Sequence, residues 1–164
     1  MKLYVLRHGP AEDFSSSGRD FDRSLTPQGR ERVKLVAARL AELDEVPKVI
    51  VSSPLVRALQ TAEIVAAELG IPAVETRRAL APGGPAHDLV LELAHEGRKR
   101  LMVVGHEPDL SGLVESLLRG AFEHDMLKAM VVGLSVSTTG PATLRFVLDP
   151  KTLEVLRAPD AQGR

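Results

Sequence analysis

The chain has 164 residues, of which 44% are apolar and 26% charged, and its formal net charge is −1. That is enough chain for one ordinary soluble domain with a proper core, and it offers no global positive field to hold DNA or RNA. Aromatic residues make up 3%, Trp is absent, and there is no cysteine, which removes disulfides, thiolate zinc sites and cysteine nucleophiles together.

Leu3 to Leu6 is a short apolar run that stops at Arg7-His8-Gly9, as a buried strand opening into a loop would. This run is too short for a signal sequence, and no stretch approaches the roughly 20 apolar residues of a membrane span, so a cytoplasmic protein is expected. Pro10 to Leu25 reads as a loop. Thr26-Pro27 reads as an N-cap with proline at the first helical position, and Val33, Val36, Ala37, Leu40 and Leu43 then recur at helical spacing.

The pattern repeats with Val49-Ile50-Val51, a second strand, and Ser52-Ser53-Pro54, read as another cap and first-turn proline. Leu55, Leu59, Ala62, Val65, Ala66 and Leu69 form the next amphipathic helix, closed by Gly70. A weak strand at Ala73-Val74-Glu75 and a turn at Pro82-Gly83-Gly84-Pro85 precede a helix over Ala86 to His95, with Gly97 beyond it. Leu101-Met102-Val103-Val104 is the third strong apolar run, ending at Gly105-His106, and Pro108 to Leu118 reads as a fourth helix. Met130 to Ser137 and Ala142 to Leu148 form a hairpin, followed by a short strand at Leu153 to Leu156. This order predicts an α/β three-layer αβα sandwich with a mostly parallel sheet and a C-terminal antiparallel hairpin. It also predicts one domain over 1–157 and a loose tail over 158–164.

Reactive residues stand where the apolar strands end: Arg7, His8 and Gly9 after the first, Arg57 in the helix after the second, Gly105 and His106 after the last strong one. In an open α/β sheet the carboxyl ends of the strands bind ligands. Two arginines, two histidines and a helix N-terminus suit an anion, since guanidinium groups grip phosphate oxygens and stay charged. One imidazole, with an ordinary pKa of about 6.5, can serve unprotonated as a nucleophile while the other, protonated, donates to phosphoryl oxygens. Gly9 and Gly105 let the backbone turn beside the ligand. Phosphoryl transfer needs positioning and charge stabilisation above all, which the arginines supply without a metal.

Leu6-Arg7-His8-Gly9 resembles the signature of the histidine phosphatase, or phosphoglycerate mutase-like, superfamily. The stretch from Ser52 to Ala62 with Arg57 within it, Val104-Gly105-His106 and Leu25-Thr26-Pro27-Gln28-Gly29 are similar to its further markers, in its order. The resemblance implies that His8 becomes phosphorylated, that Arg7, Arg57 and His106 surround the phosphoryl group, and that water then hydrolyses the phosphohistidine intermediate. It implies a metal-free α/β fold and no cofactor.

Many members carry a glutamate acid in a region that here reads Arg78-Ala79-Leu80-Ala81-Pro82-Gly83-Gly84-Pro85, which has no carboxylate. An alkoxide leaving group derives from an acid about as weak as water, pKa about 15.7, and needs proton help. A leaving imidazole is protonated at about 6.5 and does not. The short chain also has no room for a large lid between Arg57 and His106. These features resemble the compact SixA-like branch and imply phosphohistidine on a protein as the substrate. Glu12, Asp13, Asp20, Asp22 and Glu107 remain as unranked sources of an acid, because acidic loop residues are usually just solvated.

A phosphatase for small phosphate esters is the competing enzyme reading, separated by the bond broken, P–O instead of P–N. A phosphate- or phosphoprotein-binding module without turnover is the non-enzymatic one, and a nucleophile beside Arg7 would give such a binder nothing. A metal on His8 and His106 is disfavoured by the two arginines, which repel a cation. The expected partner is a phosphorylated protein or a small phosphorylated substrate, not nucleic acid or a membrane. His87, His95 and His124 read as surface histidines, Ser52 and Ser53 as helix-start residues, and Gly83-Gly84 as a turn with no P-loop lysine after it.

Overall fold

The computed structural model describes residues 1–158, so the expected tail lies, from 159 onward, outside the described residues. Seven strands form one sheet: β1 (Lys2–Arg7), β2 (Val49–Ser52), β3 (Val74–Thr76), β4 (Arg100–Gly105), β5 (Val131–Ser135), β6 (Thr143–Leu148) and β7 (Val155–Arg157). Their spatial order is β3-β2-β4-β1-β5-β6-β7. The pairings β1–β4, β2–β4 and β2–β3 are parallel, whereas β1–β5, β5–β6 and β6–β7 are antiparallel. The antiparallel part is thus larger than a hairpin at the edge. It begins at β1 itself and ends with β7.

Four helices cover the sheet: α1 (Pro27–Glu42), α2 (Val56–Leu69), α3 (Ala86–His95) and α4 (Asp109–Leu118). Thr26 caps α1, its hydroxyl accepting the Gly29 N–H at 2.9 Å, with Pro27 in the first turn. Gly70 ends α2 with φ 70°. At the end of α4 the same left-handed turn is taken by Arg119, φ 54°, so no glycine marks that stop. The start of α2 differs from the expected cap. Its first residue is Val56, preceded by Leu55, and Ser53-Pro54 lies outside it in the connecting loop. Ser53 is thereby free for another task, described below.

Alternation along the strands divides the core into two faces. Leu3 and Val5 pack with Leu89, Leu93 and Leu113 of α3 and α4, whereas Tyr4 and Leu6 pack with Val33, Leu40, Ala62 and Val65 of α1 and α2. Each such leucine or valine, fully removed from water, contributes about 1.5–3 kcal/mol. The result is the three-layer α/β sandwich. Among the described residues no helix is long and apolar enough to cross a membrane.

Register decides where the polar strand ends go. Arg7 on β1 pairs with Gly105 on β4, and Ser52 on β2 pairs with Val104 of the same strand. The residues following all three strands therefore emerge side by side at one carboxyl edge.

Candidate active site

His8 follows β1 directly and is 6% exposed. Its Nδ1–H donates to its neighbour's carbonyl, Gly9 O, at 2.7 Å, which leaves Nε2 as the nitrogen with a free lone pair. His106, 4% exposed, follows β4, and the two ring centroids are 5.3 Å apart. Arg57 is the second residue of α2 and is buried. Arg7, half-buried, donates from Nη1 to Met126 O at 2.9 Å. The four residues named from the sequence therefore converge.

Burial pushes the His8 imidazole down to about 3, with His106, Arg57 and Arg7 adding to the fall and the Gly9 carbonyl opposing it. Burial likewise brings His106 to about 4, helped by Arg57 and Arg7 and opposed by Asp109 and Asp20. Both rings are therefore neutral at neutral pH, which corrects the expectation of a protonated His106. An anion seated between the arginines would oppose that fall.

The site presents donors. Arg7 Nε, Arg57 Nε and His106 Nδ1 are buried polar atoms with no hydrogen-bond partner among the described residues; the fourth such atom, Arg145 Nη1, lies elsewhere. Buried N–H groups without partners are uncommon and call for a ligand or a functional reason. The Ser53 hydroxyl accepts from Leu55 N–H at 3.2 Å and lies 2.8 Å from His106 Nε2. Its own proton has no other acceptor among the described residues, so it goes to Nε2, and this places the His106 proton on Nδ1. A guanidinium Nε–H from each arginine and one imidazole N–H thus stand ready for oxygens, while His8 Nε2 offers a lone pair.

The glycines act by making space. A Cβ on Gly9 would come within 2.8 Å of Val33 Cγ2, and one on Gly105 within 3.2 Å of Leu110 Cδ2. Gly9 N–H is already engaged at 3.0 Å by the Thr61 hydroxyl, and Gly105 O accepts His8 N–H at 3.1 Å. Gly9 N–H is thus held by a hydroxyl of the protein itself, and this glycine positions the loop. The N-terminus of α4 is occupied too, since Glu107 accepts from Ser111 N–H at 2.9 Å and from its hydroxyl at 2.6 Å.

The remaining carboxylates separate clearly. Asp20 reaches Arg57, its Oδ2 3.1 Å from Nη2 and its backbone carbonyl 2.9 Å from Nη1. Desolvation raises the Asp20 carboxyl, but bonds to Arg23 and the charge of Arg57 outweigh it and hold the group below the usual carboxylate range. It is ionised and a poor proton donor. Asp22 turns to Ser17 and Arg19, and Glu12 and Asp13 are exposed. His87, His95 and His124 stay outside the site, as expected; His95 is bonded to Leu91 O of its own helix.

Sequence reasoning missed the residues that hold the others. Thr61, fully buried, takes Gly9 N–H and donates to Arg57 O at 2.8 Å, tying the two site segments together. Ala129 N–H donates to the carbonyls of both Arg7 and His8, at 3.0 and 3.1 Å, from a left-handed φ of 67°. Backbone clamps of this kind leave no mark on residue type.

The sequence matches the family model of the histidine phosphatase superfamily (branch 1) over residues 3–81. It is 41% identical over 140 residues to an uncharacterized protein of Picosynechococcus sp., covering 82% of this chain and 84% of that one. The chain belongs to the histidine phosphatase superfamily. This histidine phosphatase is also 28% identical over 163 residues to the phosphohistidine phosphatase SixA of Escherichia coli, covering 96% of this chain and 99% of that protein. A solved structure of the protein histidine phosphatase SixA complexed with tungstate superposes with a TM-score of 0.87 at 26% identity, over 94% of this chain and all of that one. Arg7, His8 and Arg57 fall within the segment matched by the family model, and His106 lies beyond it.

Proposed function

We propose that this histidine phosphatase removes phosphoryl groups from phosphohistidine on a protein, through a phosphorylated His8 and without a metal ion. The observation that carries the reading is the set of three partnerless buried nitrogens, Arg7 Nε, Arg57 Nε and His106 Nδ1, gathered with the free Nε2 of His8. In the first step His8 Nε2 forms a bond to phosphorus as the bond from phosphorus to the substrate imidazole breaks. The nitrogen pair returns to that imidazole, which takes its proton from solvent. In the second step a water oxygen attacks phosphorus, the His8 N–P bond breaks, and inorganic phosphate and a proton leave. The three donors stabilise the charge on the phosphoryl oxygens in both steps.

The P–N assignment is supported by the absence of a carboxylate from Arg78 to Pro85 and by the ionised, arginine-bound state of Asp20. Similarity to SixA points the same way. The reading treats residues 1–157 as one domain, which the single sheet supports, and places the protein in the cytoplasm.

The test is phosphate release with EDTA present, from a phosphohistidine protein and from an alkyl phosphate ester, comparing wild type with His8→Ala. Release from phosphohistidine, lost in the variant, is the expected result. Comparable release from the ester would keep the histidine chemistry and replace the substrate class with small esters. No release from either would leave a phosphate-binding module.

A further inference from the structure

Beside the phosphoryl site, and sharing Arg7 with it, lies an open cavity of about 330 Å³ lined by Arg7, Pro10, Arg32, Leu127, Lys128 and Lys151. Four of these six side chains are cations and none is an anion. They come from separate parts of the chain: the end of β1, the exposed side of α1, the segment before β5 and the turn between β6 and β7. A chain of net charge −1 has gathered them locally.

Arg32, Lys128 and Lys151 form no ion pair among the described residues. On the Arg57 side of the site, by contrast, Arg19 and Arg23 are neutralised by Asp22 and Asp20. Asp149, the carboxylate nearest Lys151 in sequence, is committed to the N–H groups of Lys151 and Thr152. The one carboxylate coupled to Arg7, that of Glu107, is bonded to Ser111. The charged side chains lining the cavity are thus all cations, and the carboxylates coupled to it, Asp149 to Lys151 and Glu107 to Arg7, form no ion pair with them.

We infer that this cavity is a second anion subsite, one that takes carboxylates of acidic residues flanking the phosphohistidine of a protein substrate. The inference rests on the proposed function and names the substrate it prefers. A macromolecule fits better than a small bisphosphate because the cations stand on separate elements around an open mouth, two of them exposed. Phe14 also projects from the loop after His8, 86% exposed, beside Arg19, Asp20 and Arg23 at the Arg57 side of the site. Such a surface is flanked by charge on one side and by an aromatic ring on the other.

The experiment uses two peptides phosphorylated on one histidine, identical except that flanking Glu residues in one are Gln in the other, together with phosphoramidate as a substrate that reaches only His8. Wild type should favour the acidic peptide by about tenfold or more in kcat/KM at low salt, and lose that preference in 0.5 M salt, where charges are screened beyond roughly 3–5 Å. The variant Arg32→Gln/Lys128→Ser/Lys151→Ser should discriminate less than about twofold between the peptides and hydrolyse phosphoramidate as wild type does. Equal use of both peptides by wild type, or an undiminished preference in the variant, would overturn the subsite. Fluorescence-anisotropy binding of the same labelled peptides reads the subsite without turnover. Selective binding of the acidic peptide with no hydrolysis of anything would retain the subsite and refute the proposed reaction.

Discussion

Ser53 Oγ and His106 Nε2 lie 2.8 Å apart across 53 residues of sequence, joining the loop after β2 to the loop after β4. The hydroxyl sets the tautomer of His106 and turns Nδ1 toward the site. Ser53→Ala removes that restraint without adding bulk. Misplacing a catalytic donor by a small distance costs on the order of 10–100-fold, so kcat should fall by at least about tenfold. The loss of the buried acceptor of Leu55 N–H, worth about 1–3 kcal/mol, should lower the melting temperature by several degrees. Nitrogen NMR of the His106 ring should show mixed tautomers in the variant and one in wild type. An unchanged ring spectrum would remove Ser53 from the mechanism.

Asp20 competes with an incoming anion for Arg57, its Oδ2 3.1 Å from Nη2, but its side chain is 65% exposed. Solvent screens such a pair, which limits the expected gain to a few-fold. Asp20→Asn should tighten tungstate binding by about two- to fivefold by isothermal titration and leave phosphohistidine hydrolysis intact. If Asp20 instead protonated a leaving group, the same variant would lose ester turnover by about 100-fold or more.

Thr61 is completely buried and accepts Gly9 N–H while donating to Arg57 O. Thr61→Val keeps the shape and orphans a buried N–H, which costs about 1–3 kcal/mol. Calorimetry should show melting several degrees below wild type, with kcat reduced as well, and Thr61→Ser should restore both. Equal behaviour of the Val and Ser variants would exclude the hydrogen bond as the cause.

A Cβ on Gly29 would sit 2.0 Å from Pro10 O, the carbonyl that accepts Thr26 N–H. The start of α1 therefore packs directly on the loop that leaves His8. Gly29→Ala should cost at least the roughly 1–3 kcal/mol typical of overpacking, lowering the denaturation midpoint in urea, and should depress activity with it. A variant as stable as wild type would show that this close approach is dispensable.

Burial holds His8 at about 3 and His106 at about 4 in the folded protein. Unfolded imidazoles titrate at about 6.5. Between those values the unfolded chain binds more protons, so stability is full above about pH 6.5 and declines as pH falls through the window down to 3–4. Melting temperatures measured at neutral pH and near pH 4.5 should drop less in His106→Asn than in wild type. Parallel losses would place the acid sensitivity in other groups.

By itself the sequence determined the alternation of strands and helices, the Thr26-Pro27 helix start and three apolar strands ending in Arg7-His8, Ser52-Ser53 and Gly105-His106. These are local signals, because period, caps and strand ends follow from neighbouring residue types. The reading went astray where a local signal had a distant purpose. Ser53-Pro54 looks like a helix cap, yet Ser53 is used by His106, and α2 begins at Val56. Gly9 reads as a turn beside the ligand, and only the fold shows that its N–H is tied to Thr61. A protonated His106 followed from ordinary imidazole chemistry, but desolvation inside the fold lowers it to about 4.

Only the tertiary structure decided which strand lies beside which, and hence that Arg7 sits level with Gly105 and Ser52 with Val104. It also separated Asp20, drawn to Arg57, from Glu12 and Asp13, left exposed in the same loop. Likewise it brought Arg32, Lys128 and Lys151 around one cavity beside Arg7. Strand register, burial and long-range hydrogen bonds are properties of pairs of residues remote in sequence. They arise only when the sheet assembles and water is excluded, and no residue type or spacing along the chain carries them.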